Sequence, residues 1–255
     1  MEIGMSYSPF GGLDYYSRAA RGLVAGASAV RKFGRNANTG TSFEPVWLHS
    51  GALTLFGAAG STLTISSSSS NDTSAGTGAR TITVVGVDES WAAQTEVITM
   101  NGTSNVTSSL TWGWVNSVTV TTIGTIAARA NVGTITGITT TGSYPAFIIA
   151  AGQGQTQQAC YAVEDGKNLE VYRVRLGSEA SKPADFQFGL DLDPMNATAP
   201  IVSRRYIGNV DGVVGFEAFD LLPPTIVPGG SLLWVESKLG AGTGSVTAAF
   251  DAILF

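Results

Sequence analysis

The sequence has few of the groups that most enzyme sites require. Of 255 residues only 13% are charged, and the chain contains one histidine and one cysteine, whereas about 25% of an average soluble domain is charged. A single cysteine excludes an intramolecular disulfide, and one histidine with one cysteine cannot supply a structural zinc site. No run of 18 or more apolar residues is present. We therefore predict no cofactor, no metal and no membrane-spanning helix, and the opening residues lack the apolar segment of a secretory signal.

The two residues best suited to nucleophilic chemistry lie far apart in the sequence. Cys160 lies in QQACYAV, which predicts a buried strand residue, because a reactive thiol needs a nearby cationic or histidine partner. His49 lies in WLHS, and no G-x-S-x-G motif is present. The sequence therefore predicts no catalytic residue and a protein that is not an enzyme.

A polysaccharide depolymerase is the enzyme alternative, and it would need two carboxylates facing one cleft. The sequence gives no reason to pair any two of the available acids, which include Glu164, Asp165, Glu170, Glu179 and Glu217.

A weak calcium site is the alternative for GLDLDP, where Asp191 and Asp193 stand two apart at a predicted strand end. Side chains at that spacing point the same way, and Asp211 could add a ligand. We favour a solvated turn before Pro194, because no ligand series of the EF-hand type follows.

The five tryptophans allow two interpretations. Trp112 and Trp114 stand two apart in TWGWV and are predicted to face one side of a strand. Exposed, they would form a platform for carbohydrate; buried, they would fill a sandwich core or a subunit interface. We favour burial, because aromatic side chains dominate the cores and interfaces of proteins.

From Ser61 to Thr122 much of the chain alternates polar and apolar residues, and nearly all the polar positions are Ser or Thr. Alternation of period two predicts antiparallel strands with one face inward and one face in water. The 32 glycines and 9 prolines predict many tight turns. The sequence therefore predicts an all-β protein whose outer strand faces carry hydroxyl groups.

The order of turns and strands predicts an N-terminal extended arm followed by two antiparallel β-sandwich domains. The arm is residues 1–42, with a short helix over Tyr15–Ala20; the first sandwich is 43–140, and the second, jelly-roll-like, is 144–255. Two hairpin turns are predicted in the first sandwich, at Asn71–Gly78 and at Asn101-Gly102.

The net charge of −5 is unevenly distributed. Residues 1–40 contain five basic and two acidic residues, and the remainder contains nine basic and seventeen acidic ones. A basic arm on an acidic body predicts docking onto an acidic surface of a neighbouring subunit; a solvated terminus is the equal alternative. Nucleic acid is a weak rival, because the cations are sparse. The predicted docking residues are Arg18, Arg21, Arg31, Lys32 and Arg35.

Several phrases resemble structural proteins of tailed bacteriophages, particularly those of aquatic bacteria. They cover roughly a quarter of the chain, and none of them is a catalytic motif. The phrases are ARGLVAGASAVRKFGRN (Ala20–Asn36), SSSSNDTSAGTGARTITVV (Ser67–Val85), EVITMNGTSNV (Glu96–Val106), QGQTQQACYAVEDGK (Gln153–Lys167) and VTAAFDAIL (Val246–Leu254).

The resemblance implies a non-enzymatic component of a phage particle, made in the host cytoplasm and carried on the particle surface. A capsid decoration or cement protein, anchored by its N-terminal arm, is the favoured form. A tail or head-fibre module that binds a host surface glycan is the alternative. The implied partners are other virion proteins, either the major capsid protein or neighbouring subunits. Such parts are commonly trimers, so the resemblance also implies a homo-oligomer.

Overall fold

The protein is described by a computed structural model, which covers residues 14–49, 51–125, 129–179, 181–192, 194 and 204–255. The described residues form one short α-helix and sixteen antiparallel strands, so the all-β prediction is confirmed. The elements are α1 (Tyr15–Ala20), β1 (Ser28–Thr39), β2 (Glu44–Pro45), β3 (Leu63–Ser67), β4 (Ala79–Val87), β5 (Ala93–Thr99), β6 (Val106–Thr107), β7 (Trp114–Ile123), β8 (Ile135–Thr139), β9 (Pro145–Ile149), β10 (Cys160–Ala162), β11 (Asn168–Ser178), β12 (Ala184–Asp191), β13 (Arg204–Val213), β14 (Phe216–Pro228), β15 (Leu232–Leu239) and β16 (Gly244–Leu254).

Helix α1 has the bounds that its sequence predicts. The Asp14 carboxylate caps it by accepting a hydrogen bond of 2.9 Å from the backbone N–H of Ser17. The helix ends where Gly22 follows with a positive φ of 69°, a backbone conformation that glycine adopts at no steric cost.

Eight of the strands form a jelly roll. One sheet has the order β1-β16-β11-β14 and is called the outer sheet here; the other has the order β10-β15-β12-β13 and is called the shared sheet, with β2 also pairing β15. Counted along the chain, the strands of the two sheets run first-eighth-third-sixth and second-seventh-fourth-fifth. This order is the double Greek key of an eight-stranded jelly roll.

The other sandwich, which was predicted as the first, is inserted between the first and second strands of the jelly roll and is called the inserted sandwich here. Its sheets have the orders β6-β3-β8-β9 and β5-β4-β7. The chain enters at Val46 and returns at Ala159, and these two residues lie side by side. Ala159 N–H donates to the Val46 carbonyl at 3.0 Å, and Val46 N–H donates to the Val235 carbonyl at 2.9 Å. The entering and returning segments are therefore hydrogen-bonded to each other and to β15.

Strand β15 is buried on both faces. Leu232 and Trp234 belong to the core of the inserted sandwich, whereas Leu233 and Val235 belong to the core of the jelly roll. Successive strand residues point to opposite faces, so the shared sheet closes the jelly roll on one side and supports the inserted sandwich on the other. The two sandwiches therefore pack on one common layer.

Three strands join sheets on the other side of the predicted domain boundaries, which is a correction to the sequence interpretation. The short strand β2, predicted within the first sandwich, pairs with β15 of the jelly roll. Strand β1, predicted as part of the arm, pairs with β16 from Ser28↔Leu254 to Thr39↔Gly244. Strand β9, predicted within the second sandwich, pairs with β8 of the inserted one. Pairing partners separated by more than 200 residues leave no local signal in the sequence, and this explains the missed strand β1.

Neither predicted hairpin is present. The Asn71–Gly78 and Asn101-Gly102 turns connect strands of different sheets. Asp72, which is fully buried, organises the first connection: its carboxylate accepts hydrogen bonds of 2.8 Å from the backbone N–H groups of Ala79, Val132 and Gly133. A buried carboxylate with these donors fixes a loop that turn propensity alone would assign to a hairpin.

We expect Gly189→Ala to destabilise the fold. A Cβ atom at Gly189 would lie 2.2 Å from Cε2 of Trp234, because the indole ring packs directly on this backbone. Overpacking of this kind costs about 1–3 kcal/mol, which chemical denaturation measures. Gly208→Ala on the adjacent strand is the control, since its Cβ would lie 3.7 Å from Phe188. Equal unfolding free energies for the two variants would contradict the close packing.

Candidate functional site

The predicted docking residues lie on two different faces of the protein. Arg31 is on the exposed side of the outer sheet, and its Nε donates to Asp251 Oδ1 at 2.8 Å. Arg175 donates to the same oxygen at 2.6 Å. The Asp251 side chain is only 4% exposed, whereas that of Arg31 is 70% exposed. Arg31 therefore shares a carboxylate with Arg175 and still presents its guanidinium to solvent.

Three other predicted cations are exposed. Arg18 and Arg21 lie on and just after α1, and Arg35 Nε donates to Ser245 Oγ at 3.1 Å on the outer sheet. The helix is held to this sheet by Tyr16, whose ring stacks on Tyr172 at a centroid distance of 3.9 Å.

The hydroxyl of Tyr16 also donates to Glu170 Oε1 at 3.0 Å. The pKa of this hydroxyl is raised to about 12, first by its loss of contact with water and then by Glu170. The stacking and this hydrogen bond position the exposed cations of α1 near those of β1.

Lys32 is the exception, and its inclusion among surface docking residues is corrected. The residue is 7% exposed and lies between the two sandwiches, where its ammonium donates to the Asn116 carbonyl on β7. Alternation along β1 explains the burial, because Arg31 and Phe33 point outward while Lys32 points to the junction. A buried ammonium cannot reach a partner's surface. Docking by the other four cations stays a prediction.

A hydrogen-bonded group of polar residues joins the sandwiches at this point. The Asn116 side chain donates to the Ala162 carbonyl at 2.9 Å and accepts from the Ala162 N–H at 2.7 Å. Gln158 Nε2 donates to the carbonyls of Val115 and Asn116 at 2.7 and 3.1 Å. Both side chains are buried, so each hydrogen bond satisfies a group that would otherwise be costly to bury. Asn116 therefore fixes the inserted sandwich to β10.

Burial changes the titration of two neighbouring groups at the junction. Loss of water lowers the pKa of the Lys32 ammonium from 10.5 to about 8, and Cys160 acts weakly in the opposite direction. Burial also raises the pKa of the Cys160 thiol to about 11, against a lowering effect of Lys32. Desolvation penalises the charged form of each group. Cys160 is therefore the buried, protonated residue that its sequence context predicts.

A groove of about 300 Å³ opens beside Lys32 and is called the junction groove here. It runs along β1 on one side and along β7 and the segment before β10 on the other. Besides Arg31, its polar lining residues are Lys32, Asn116, Ser117, Thr119, Gln155, Thr156 and Tyr161, whose hydroxyl donates to Glu164 Oε1 at 2.9 Å. Arg31, Phe33 and Val85 also line it, and the described lining residues include no carboxylate.

The exposed face of the sheet β5-β4-β7 carries the predicted hydroxyl groups and is called the hydroxyl face. Thr81 and Thr83 point outward from β4, whereas the alternating residues Ile82 and Val84 are fully buried. Thr81 and Thr122 share a hydroxyl–hydroxyl hydrogen bond of 2.7 Å. The residues on this face are Thr81, Thr83, Val85, Thr95, Val97, Thr99, Ser117, Thr119, Thr121 and Thr122.

The remaining candidate residues are not brought together. All five tryptophans are at most 3% exposed, which confirms core packing of Trp112 and Trp114 and leaves no tryptophan platform for a glycan. His49 packs against the Trp47 ring. Asp191 is buried at the end of β12, and Asp193 lies outside the described residues.

The described part of the chain contains neither a metal-binding cluster nor a helix of membrane-spanning length and hydropathy. No cluster of three or more His, Cys, Asp or Glu side chains suited to a metal ion occurs there. No helix in those ranges is long and apolar enough to cross a membrane.

Sequence reasoning missed Asp251 and Asn116. Each acts through a partner that is far away in the chain: Asp251 lies 220 residues from Arg31, and Asn116 lies 84 residues from Lys32. The only local signal is that each is a polar residue within a predicted strand. Such a signal does not identify a partner.

Comparison with known proteins gives no family assignment. No protein-family model matches the sequence, and no curated protein matches it significantly. The solved structures that match include chains of infectious bursal disease virus. For the Gt strain the identity is 12% and the TM-score 0.26, covering 89% of this chain and 72% of that one. For the T13 viral particle the identity is 11% and the TM-score 0.27, covering 89% of this chain and 69% of that one. For the VP2 subviral particle the identity is 13% and the TM-score 0.22, covering 91% of this chain and 72% of that one. Similarities this low transfer no residue role to this chain.

We expect Lys32→Met to stabilise the protein at pH 7. The folded lysine titrates near pH 8 and the unfolded one near 10.5, so charged Lys32 opposes folding below pH 8. This pKa shift corresponds to a gain of about 3 kcal/mol in the unfolding free energy of the variant. The loss of the Lys32 hydrogen bond reduces that gain, although Gln158 still donates to the Asn116 carbonyl. Between pH 8 and 10.5 the unfolded wild type binds more protons than the folded one, so its stability rises with pH. The difference in unfolding free energy between the variant and the wild type therefore narrows.

Chemical denaturation of both proteins from pH 7 to 10 measures this difference. Arg35→Met, on the same strand but exposed, is the control and should show no such pH dependence. A Lys32→Met variant less stable than the wild type at pH 7, or a difference independent of pH, would contradict the unfavourable burial of charge.

Proposed function

We propose that the chain is a non-enzymatic structural component of a phage particle, and most specifically a capsid decoration or cement protein. It would lie on the particle surface and contact the major capsid protein or neighbouring subunits. The observation that carries the proposal is the construction of the fold: a jelly roll with a second sandwich packed on its shared sheet. Jelly rolls occur in viral capsid and lectin domains, so this support is an analogy of fold.

The surface also supports a structural role. The hydroxyl face is broad, carries few charges and pairs its hydroxyl groups between strands. Cross-strand pairs of this kind stabilise a sheet without requiring a ligand. Such a face is suited to display or to packing against another subunit.

The exposed cations define the proposed anchor. Arg18, Arg21, Arg31 and Arg35 lie on α1 and on the exposed side of β1, which are neighbouring elements. Opposite charges across an interface steer association and fix its register. An acidic surface on the particle is therefore the proposed partner of this patch.

We expect the double variant Arg18→Ala, Arg21→Ala to bind particles more weakly than the wild type, with a smaller dependence on salt. Both side chains are exposed, so the fold should be retained. Co-sedimentation of purified protein with particles that lack it measures binding. Deletion of residues 1–36 is a poorer test, because it would remove most of β1 from the outer sheet.

The matched control is Lys167→Ala, Arg205→Ala, which removes two exposed positive charges elsewhere on the jelly roll. Equal binding by both double variants would contradict anchoring through α1. The number of copies per particle tests the location: a count that matches the shell lattice supports the head, and a handful of copies supports the tail and contradicts a cement role.

A further inference from the structure

The junction groove has the composition of an anion site. Its described polar lining residues are the buried Lys32, the exposed Arg31 and six residues that carry amide or hydroxyl groups. The protein as a whole carries a net charge of −5, yet no carboxylate lines this groove within the described residues. The buried Lys32, in a lining that contains no carboxylate residue, favours a positive potential in the groove.

Within the described ranges, the Lys32 ammonium has fewer hydrogen-bond acceptors around it than it has donor hydrogens. An ammonium group has three donor hydrogens, and among the described residues the Lys32 side chain makes one hydrogen bond, to the Asn116 carbonyl. It forms no ion pair with a described residue. A buried charge normally has a partner of opposite sign, because its desolvation is otherwise uncompensated.

The hydrogen bonds that join the two sandwiches at Asn116 do not depend on Lys32. The Asn116 carbonyl already accepts from Gln158, and the Asn116 side chain holds β10 without help from Lys32. A residue that costs stability and is not needed for packing is typical of a functional site.

We propose that the junction groove binds an oxyanion, a carboxylate or phosphate group, with the Lys32 ammonium as its counter-charge. Hydroxyl groups of Ser117 and Thr119 and the amide of Gln155 surround the same space and can donate to it. Because β1 belongs to the jelly roll and β7 to the inserted sandwich, the anion contacts both. Binding therefore stabilises the junction, and it does so independently of any role in a virion.

The test is a thermal-unfolding titration of the full chain with sodium phosphate and, separately, with sodium glutarate, at constant ionic strength. A ligand that binds only the folded state raises Tm in a saturable way. We expect saturation with at least one of the two probes in the wild type. Saturation with phosphate alone identifies a phosphate ligand, and saturation with glutarate alone identifies a carboxylate.

Lys32→Met should weaken the binding by about tenfold or more, whereas Arg35→Met, a charge removed from the exposed side of the same strand, should leave it unchanged. Absence of saturation with both probes, or an equal response of Lys32→Met and the wild type, would overturn the proposal. If Lys32→Met does not fold, the Nζ resonance of Lys32 in the ¹⁵N-labelled wild type provides the test. That resonance should shift on titration, and an unchanged resonance would overturn the proposal.

Discussion

The structure depends on one constraint: the shared sheet must be covered on both faces. Strand β15 places Leu233 and Val235 in the jelly roll and Leu232 and Trp234 in the inserted sandwich. Without the inserted sandwich, the second pair would form an exposed apolar surface, which soluble proteins seldom retain. The insertion point follows from the same constraint, because the entering and returning segments pair with β15 itself. The close packing of Trp234 on Gly189 shows how tightly the common layer is filled.

The polar junction between the two sandwiches contains both buried groups whose hydrogen bonds are satisfied and a buried charge that is poorly compensated. Asn116 and Gln158 are buried with their hydrogen bonds satisfied and connect the sandwiches at little cost. Lys32 brings a positive charge into the same buried junction, and its ammonium has one acceptor among the described residues, the Asn116 carbonyl. Asp251, on the neighbouring strand β16, illustrates the alternative arrangement on the exposed side of the outer sheet, where a carboxylate of low exposure is neutralised by two arginines. The fold can therefore compensate a buried charge, and at Lys32 it does so incompletely.

The sequence allowed prediction of what depends on local pattern. Alternation placed Ile82 and Val84 inside and Thr81 and Thr83 outside, and the Ala-rich spacing over Tyr15–Ala20 predicted the short helix. Strand β1 could not be predicted, because its polar composition indicates an arm and its pairing with β16 is long-range. The predicted hairpins failed for a similar reason: turn propensity is local, whereas the choice of sheet is set by burial. Of the candidate site, the cations were visible in the sequence, but which of them is buried was not.

The register of β1 decides which of these cations is buried. Arg31, Phe33 and Arg35 point outward, and Lys32, Gly34 and Asn36 point to the junction. Gly34 lies over the two hydrogen-bonded segments at the insertion point, where a Cβ atom would approach the Val46 carbonyl oxygen to 2.0 Å. A shift of one residue would place Phe33 or Arg35 at this crossing and move Lys32 into solvent. Because only glycine fits there, the backbone contact at Gly34 fixes the register, and the register in turn buries Lys32 and leaves the neighbouring arginines exposed.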